Sequence, residues 1–388
     1  MRPVLRALAP IVRRAARTFP AVLLTGPRRA GKTTLLRQAF PNATYHLVED
    51  PDVISRLRSD PRAFIDGLRP PVILDEIQNV PEILGYIRTR VDEAPRRTGQ
   101  WLLTGSQEAP LMQGVTESMA GRAAVLQLLP FSTLESPRVG LLYGGFPEVL
   151  ARPAARALWW SSYVQTYLER DVRAVTAIRD LATFRRFLAL VATRTGQMLN
   201  RSDLAAPLGV SVPTLSQWLS VLEITGQILL VPPYFQNLGK RIVKSPKLYL
   251  TDSGLACHLL GIETESELAR SPFLGPLWEG FVASEIVKQQ LNAGRRRDLY
   301  YFRDQQGLEV DFIVPTRGHR LALVEARATR TALPRMADSL TRLSKAAAGH
   351  HLRTDRYLVY RPAGDQMTTA LRPGTRAVSL AELLAALR

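Results

Sequence analysis

Ala21-Val-Leu-Leu-Thr-Gly-Pro-Arg-Arg-Ala-Gly-Lys-Thr-Thr-Leu-Leu36 is the stretch on which the fold of this 388-residue chain turns. The first five residues are apolar or β-branched and read as a short buried strand, and Leu35 and Leu36 open a helical pattern. Between them Gly26, Gly31, Lys32 and Thr33 satisfy G-x-x-x-x-G-K-S/T without exception. Glycines let the backbone wrap an anion, and the first turn of the following helix presents unpaired N–H groups to it. In that setting Pro27, Arg28, Arg29, Ala30 and Thr34 complete the cradle. Lys32 reaches the β- and γ-phosphates of ATP, and the Thr33 hydroxyl holds Mg2+. A glycine-rich turn with an exposed lysine is the bland alternative, and the flanking strand and helix argue against it.

Downstream, Val72-Ile-Leu-Asp-Glu76 follows Pro70 and Pro71 and places Asp75 and Glu76 at the end of a second buried strand. A carboxylate there holds the water shell of Mg2+, and its neighbour polarises the attacking water. An acidic helix start is the other reading of the pair. A third polar strand end occurs in WLLTGSQ, where Thr104, Ser106 or Gln107 is positioned to orient that water, with a plain strand-to-loop turn as the alternative. Arg122 in MAGR is a candidate for contacting the γ-phosphate, in cis or across a subunit interface of a homo-oligomer.

The alternation of AVLLT, VILD, WLLT and AVLQLL with helical segments predicts a parallel α/β sheet up to about Pro130. Composition allows several such units. The hydrophobic content is 46% and the charged content 22%, ordinary for a globular chain, and no apolar run is long enough to cross a membrane. Arginines interrupt the N-terminal 18 residues, so a lead-in helix on the sheet is expected rather than a signal peptide. Cys257 is the only cysteine, which excludes an intrachain disulfide and fits a cytoplasmic location.

The formal charge of +17 points to polyanionic partners, DNA above all. Six of the 51 basic residues are lysines and 45 are arginines, a skew that genomic base composition also produces.

Together GPRRAGKTTLL, VILDEIQ, LLTGS, MAGR with LLPFS, GGFPEVL, YLERDV and KSPKLYLTDSGL resemble the bacterial and archaeal AAA ATPases that carry a C-terminal domain called DUF4143. The resemblance covers about residues 22 to 328. It implies an α/β P-loop NTPase (AAA+) core, a winged helix-turn-helix, and a small α/β domain similar to PD-(D/E)xK nucleases. The corresponding segments are residues 1–135 for the nucleotide-binding domain, 136–199 for a helical connector, 200–260 for the winged segment and 261–388 for the C-terminal domain.

In RSDLAAPLGVSVPTLSQWLSVLE, Ser211 caps and Pro213 opens a second helix after a turn at Gly209. Leu215, Trp218, Leu219 and Leu222 form its apolar face; Thr214, Ser216, Gln217 and Ser220 face outward, and none is basic. The following wing carries Lys240, Arg241, Lys244 and Lys247, suited to DNA phosphates, unless the segment packs on the ATPase or a protein partner. Nuclease chemistry needs a helix carboxylate, an Asp on a strand and Glu-x-Lys on the next. Glu279 or Glu285, Asp311 and Glu325 fill the carboxylate places of such a second metal site. Arg327 stands in the lysine place, and its planar, permanently charged fork favours binding over cutting. Three functions stay open: an ATPase whose nucleotide state controls DNA or partner engagement, an ATP-dependent signalling or toxin-like switch without nucleic acid, and an ATP-licensed metal-dependent nuclease.

Overall fold

A computed structural model of the chain describes residues 4–105, 117–168, 181–234, 244–362 and 369–388. The first sheet contains β1 (Ala21–Thr25), β2 (Thr44–Leu47), β3 (Val72–Asp75), β4 (Trp101–Thr104) and β5 (Ala123–Gln127) in the order β2-β3-β4-β1-β5. All its pairings are parallel. Strand β4 therefore lies between β1, which leads into the phosphate loop, and β3, which ends at Asp75. Strand β2, a half-exposed edge, carries no apolar run and was not legible in the sequence.

Alternate residues divide between the two faces, as the two-residue period of a strand requires. Ala21, Leu23, Val72, Leu74, Trp101 and Leu103 pack toward helices Pro51–Ser59 and Ile83–Glu93. Val22, Leu24, Ile73 and Leu102 pack toward helices Ala9–Thr18 and Lys32–Ala39. The lead-in helix thus buries Val12, Ala15 and Ala16 against the sheet, with its arginines outward.

Beyond β5 the helices Pro147–Ala151, Arg156–Tyr163 and Leu181–Thr193 precede a small antiparallel sheet of β6 (Gln197–Met198), β7 (Ile228–Val231) and β8 (Lys247–Leu250), ordered β6-β8-β7. Between β6 and β7 stand two helices, Arg201–Ala205 and Val212–Ile224, separated by a left-handed turn at Gly209. Ser211 caps the second by accepting the Thr214 N–H, and Leu215, Trp218, Leu219 and Leu222 are buried together with Val221. The residues expected to face outward follow that pattern only partly: Gln217 and Ser220 are exposed, Thr214 and Ser216 half-buried.

The 19-residue helix Leu274–Asn292 leads into a six-stranded mixed sheet made of β9 (Tyr300–Arg303), β10 (Glu309–Thr316), β11 (Arg320–Ala326), β12 (Arg353–Val359), β13 (Thr369–Arg372) and β14 (Thr375–Val378). Its order is β13-β14-β12-β11-β10-β9. After β5 one apolar core runs from Leu129 through Trp160, Phe187, Trp218, Tyr249 and Phe281 to Leu387, and a second, with Ile313, Leu321, Leu323, Leu340 and Leu343, lies on the other face of the six-stranded sheet. Compositional segments that look separate along the chain are packed as one body.

Candidate functional site: a phosphate loop and a buried ion cluster

The loop between β1 and helix Lys32–Ala39 rests on two glycines in conformations that other residues rarely adopt. Gly26 has φ of 138°, and a Cβ there would lie 2.1 Å from the Leu128 carbonyl oxygen; Gly31 has φ of 98°. The Lys32 side chain is buried and its ammonium donates to the carbonyl oxygens of Gly26 and Pro27, both at 3.0 Å. It therefore lies back across the loop rather than out in solvent. Loop residues Arg28, Arg29, Gly31, Lys32, Thr33 and Thr34 line a cavity of about 590 Å3, closed opposite by Asp75, Glu76, Pro147 and Glu148.

Three hydroxyls converge on Asp75 at the end of β3. Thr33 donates to both carboxylate oxygens at 3.0 and 2.9 Å, Tyr45 to one at 2.8 Å, and Thr104 to the other. Burial first, and then the bond to Asp75, raise the Tyr45 hydroxyl above its ordinary pKa, so it stays a proton donor. Thr33 and Asp75 side by side are the oxygen donors that a phosphate-bound Mg2+ requires, so this set fits the ion.

Glu76 sits in a left-handed conformation, φ 60°, that an L-residue adopts only when its surroundings fix it. Those surroundings are explicit. Its N–H donates to Thr104 Oγ1 at 3.1 Å, Asn79 Nδ2 donates to its carbonyl at 3.0 Å, and Gln78 Nε2 holds its carboxylate at 2.5 Å with Arg28 at 3.4 Å. Of the three candidates in WLLTGSQ, Thr104 is the one brought to the acidic pair; Ser106 and Gln107 lie outside the described residues. Tyr45 and Gln78 were missed: Tyr45 belongs to no recognisable motif, and Gln78 ends the VILDEIQ motif without a role that its sequence position reveals.

Arg122 departs from the cis half of its expected role. It precedes β5 and its carbonyl accepts from the Ala21 N–H, so it lies at the sheet edge opposite the phosphate loop, paired with Asp92 at 2.6 Å. A five-residue strand separates the two edges, roughly 16 Å at the usual rise. A contact in cis to the γ-phosphate of this cradle is ruled out by that distance.

A different arginine, not foreseen, supports the loop. Arg6 is buried; it pairs with Glu135 at 2.9 Å and donates to the carbonyls of Ala30 and Leu129 at 2.7 and 2.6 Å. Burial pulls its pKa down while Glu135 holds it up. The lead-in segment thereby pins the crown of the phosphate loop.

The motifs LLPFS, GGFPEVL and KSPKLYLTDSGL meet at one place. Phe131 N–H donates to Gly145 O, Asp252 accepts the Gly145 N–H at 2.8 Å, and Lys288 donates to Phe131 O at 3.0 Å. Glu285, an alternative helix carboxylate of the nuclease constellation, belongs here instead. It accepts the N–H and hydroxyl of Thr133, both at 2.7 Å, and pairs with Lys288.

Glu279, Asp311 and Glu325 do come together, but around cations of this chain. Lys247 Nζ lies 2.9 Å from Glu279, 2.5 Å from Glu309 and 3.6 Å from Asp311. Arg327 pairs with Glu325 and reaches Asp311 at 3.8 Å. Among the described residues no group of acidic, His or Cys side chains is arranged to hold a metal. Lys247, assigned to DNA phosphates from its place in the wing, is buried and cannot meet them; of the other three, Lys244 is exposed and Lys240 and Arg241 lie outside the described residues.

Burial, reinforced by Asp311, pushes Glu279 and Glu325 above the ordinary carboxylate range, against the pull of Lys247 and Arg327 respectively. Both hold protons more tightly folded than unfolded, so their stabilisation is present in acid and lost as pH rises through the raised values. Thermal unfolding followed by circular dichroism should show the melting temperature falling from about pH 5 to pH 9, with a flatter slope in Glu325→Gln. An identical slope in that variant contradicts the assignment.

An AAA domain family (AAA_14) matches residues 18–136, a domain of unknown function (DUF8612) residues 134–266, and another (DUF4143) residues 274–382. Uncharacterized proteins of Mycobacterium tuberculosis and Mycobacterium bovis are each 34% identical over 361 residues, covering 89% of this chain and 80% of theirs. The chain belongs to the AAA-type P-loop ATPases with a C-terminal DUF4143 domain. Among solved structures it is similar to a Walker-type ATPase of Pyrococcus abyssi, at 17% identity and TM-score 0.42, covering 67% of this chain and 98% of that one. The RuvB Holliday junction branch migration motor of Thermotoga maritima is 18% identical with TM-score 0.30, covering 58% and 87%. No helix among the described residues of this ATPase relative is long and apolar enough to cross a membrane.

Proposed function

We propose that this chain is a Mg2+-dependent ATPase whose nucleotide state controls how its winged helix-turn-helix and C-terminal domain engage DNA or a protein partner. One contact carries the reading. The turn that ends helix Val212–Ile224 lies directly on the phosphate loop: a Cβ at Gly226 would stand 3.1 Å from the Pro27 ring. A change in loop conformation on nucleotide binding must pass to that turn, since close-packed side chains transmit small displacements rather than absorb them.

Within the cavity each residue has a role of its own. Lys32 exchanges its two loop carbonyls for phosphate oxygens, and Thr33 and Asp75 hold Mg2+, which supplies charge neutralisation across the phosphates. Glu76, fixed by Gln78 and Asn79, orients the attacking water and receives its proton. Thr104 keeps Asp75 and the Glu76 backbone in register. Phosphates of DNA fall to Lys240, Arg241 and Lys244 rather than Lys247.

The absence of charge among Thr214, Ser216, Gln217 and Ser220, of which Gln217 and Ser220 are exposed, favours the second reading, an ATP-dependent signalling or toxin-like switch without nucleic acid. The nuclease reading is disfavoured by Lys247 and Arg327 seated among its carboxylates. Titrating duplex DNA binding against salt, with and without ATP, separates the readings. We expect affinity to fall with log salt and to change with nucleotide. Binding that is absent, or indifferent to nucleotide at every salt concentration, overturns the DNA form of the proposal.

A further inference from the structure

The ammonium of Lys247 comes from the small helix-turn-helix sheet, yet all three carboxylates around it belong to the C-terminal domain. Glu279 is on helix Leu274–Asn292, and Glu309 and Asp311 are on β10. Tyr249, two residues along β8 and so on the same face, donates to Glu279 at 2.5 Å, and the Tyr301 ring lies 5.6 Å from the ammonium. A buried ammonium is tolerated only where charge and hydrogen bonds repay its desolvation. Here they do: the three carboxylates outweigh burial and hold Lys247 protonated. Four carboxylates, counting Glu325, meet two cations, counting Arg327 on the far side of Asp311.

We propose that Lys247 is a latch: β8 inserts its ammonium into the carboxylate pocket of the C-terminal domain, locking the two regions together and filling the place that a divalent cation would take. Ammonium and metal compete for the same oxygens of Glu279 and Asp311, so the pocket is closed to metal while β8 is docked and open when β8 withdraws. Strand β8 is the central strand of its sheet, so it moves together with β6 and β7, and it is connected to the nucleotide cavity. Its far end runs into Asp252, which holds the Gly145 N–H, and Gly145 precedes by two residues the Pro147 that walls the nucleotide cavity. The latch itself stands without any assumption about ATP hydrolysis, so its failure and that of the proposed function are separate results.

Replacing the lysine by an uncharged chain of similar length tests it. The full chain carrying Lys247→Met, free of nucleotide, is titrated with Mn2+ by electron paramagnetic resonance beside the unmodified protein. We expect one added Mn2+ site in the variant, lost again when Asp311→Asn is combined with it. Hydrogen exchange at residues 247 to 250 should accelerate about tenfold or more in the variant. Equal Mn2+ binding by both proteins, or no added site and unchanged exchange in the variant, overturns the latch. Should Lys247→Met fail to fold, Glu309→Gln decides: this partly exposed carboxylate contributes one arm of the cage, and unchanged exchange in β8 then refutes the proposal.

Discussion

Lys32→Ala is expected to abolish tight ATP binding while the chain folds normally. The ammonium it removes is already inside the loop, donating to the carbonyls of Gly26 and Pro27. These bonds make the lysine a preorganised cation: binding ATP turns it from two neutral acceptors to charged phosphate oxygens, a stronger class of hydrogen bond. Deletion leaves the backbone cradle but no motif cation for the β- and γ-phosphates. Losing a charge-assisted contact in a desolvated site costs 2 kcal/mol or more, roughly 30-fold in affinity and upward. Titration with a fluorescent ATP analogue, alongside circular dichroism, measures both parts. A folded variant with undiminished affinity would remove the phosphate-loop assignment. Arg6 makes folding of the variant a fair expectation, because it pins Ala30 independently of Lys32.

Glu76→Gln should separate binding from turnover. The carboxamide keeps the shape of the side chain and loses the base, so ATP remains bound while hydrolysis slows by roughly 10²-fold or more. The surroundings sharpen the expectation. Gln78 donates to the carboxylate at 2.5 Å and Arg28 lies 3.4 Å away, so an amide at 76 loses attraction to Arg28 and must turn its oxygen toward Gln78. Its NH2 group then faces the cavity, the wrong polarity for accepting a proton from water. Single-turnover phosphate release, measured with nucleotide affinity, tests this. Unchanged turnover would transfer the role to Asp75, although three hydroxyls already occupy that carboxylate.

Legibility in the sequence tracked how local each feature was. The phosphate loop was readable because its requirements are contiguous: a strand, two glycines with special φ, a lysine and a hydroxyl on the first helical turn. Asp75 and Glu76 were readable for the same reason, as polar residues ending an apolar strand. Tyr45 was not, since its strand is a sheet edge without apolar runs and only the parallel pairing of β2 with β3 brings its hydroxyl to Asp75. Arg6 was also hidden: its partners Ala30, Leu129 and Glu135 are 24 to 129 residues away.

What the sequence determined by itself is the set of chemistries: a phosphate cradle, an acidic strand end, a capped helix after a left-handed turn, and carboxylates on a helix and two strands. What only the tertiary structure decided is which partner each charge has. Arg122 was chemically suited to a phosphate and lies at the other edge of the sheet with Asp92. Glu285 was suited to a metal and instead binds Thr133. Lys247 was suited to DNA and is buried among three carboxylates of another segment. The reason is physical: a side chain's ability to carry charge is fixed by its own atoms, whereas the charge it pairs with is set by strand order and by the core that packs distant segments together, where desolvation makes an unpaired ion too costly to keep.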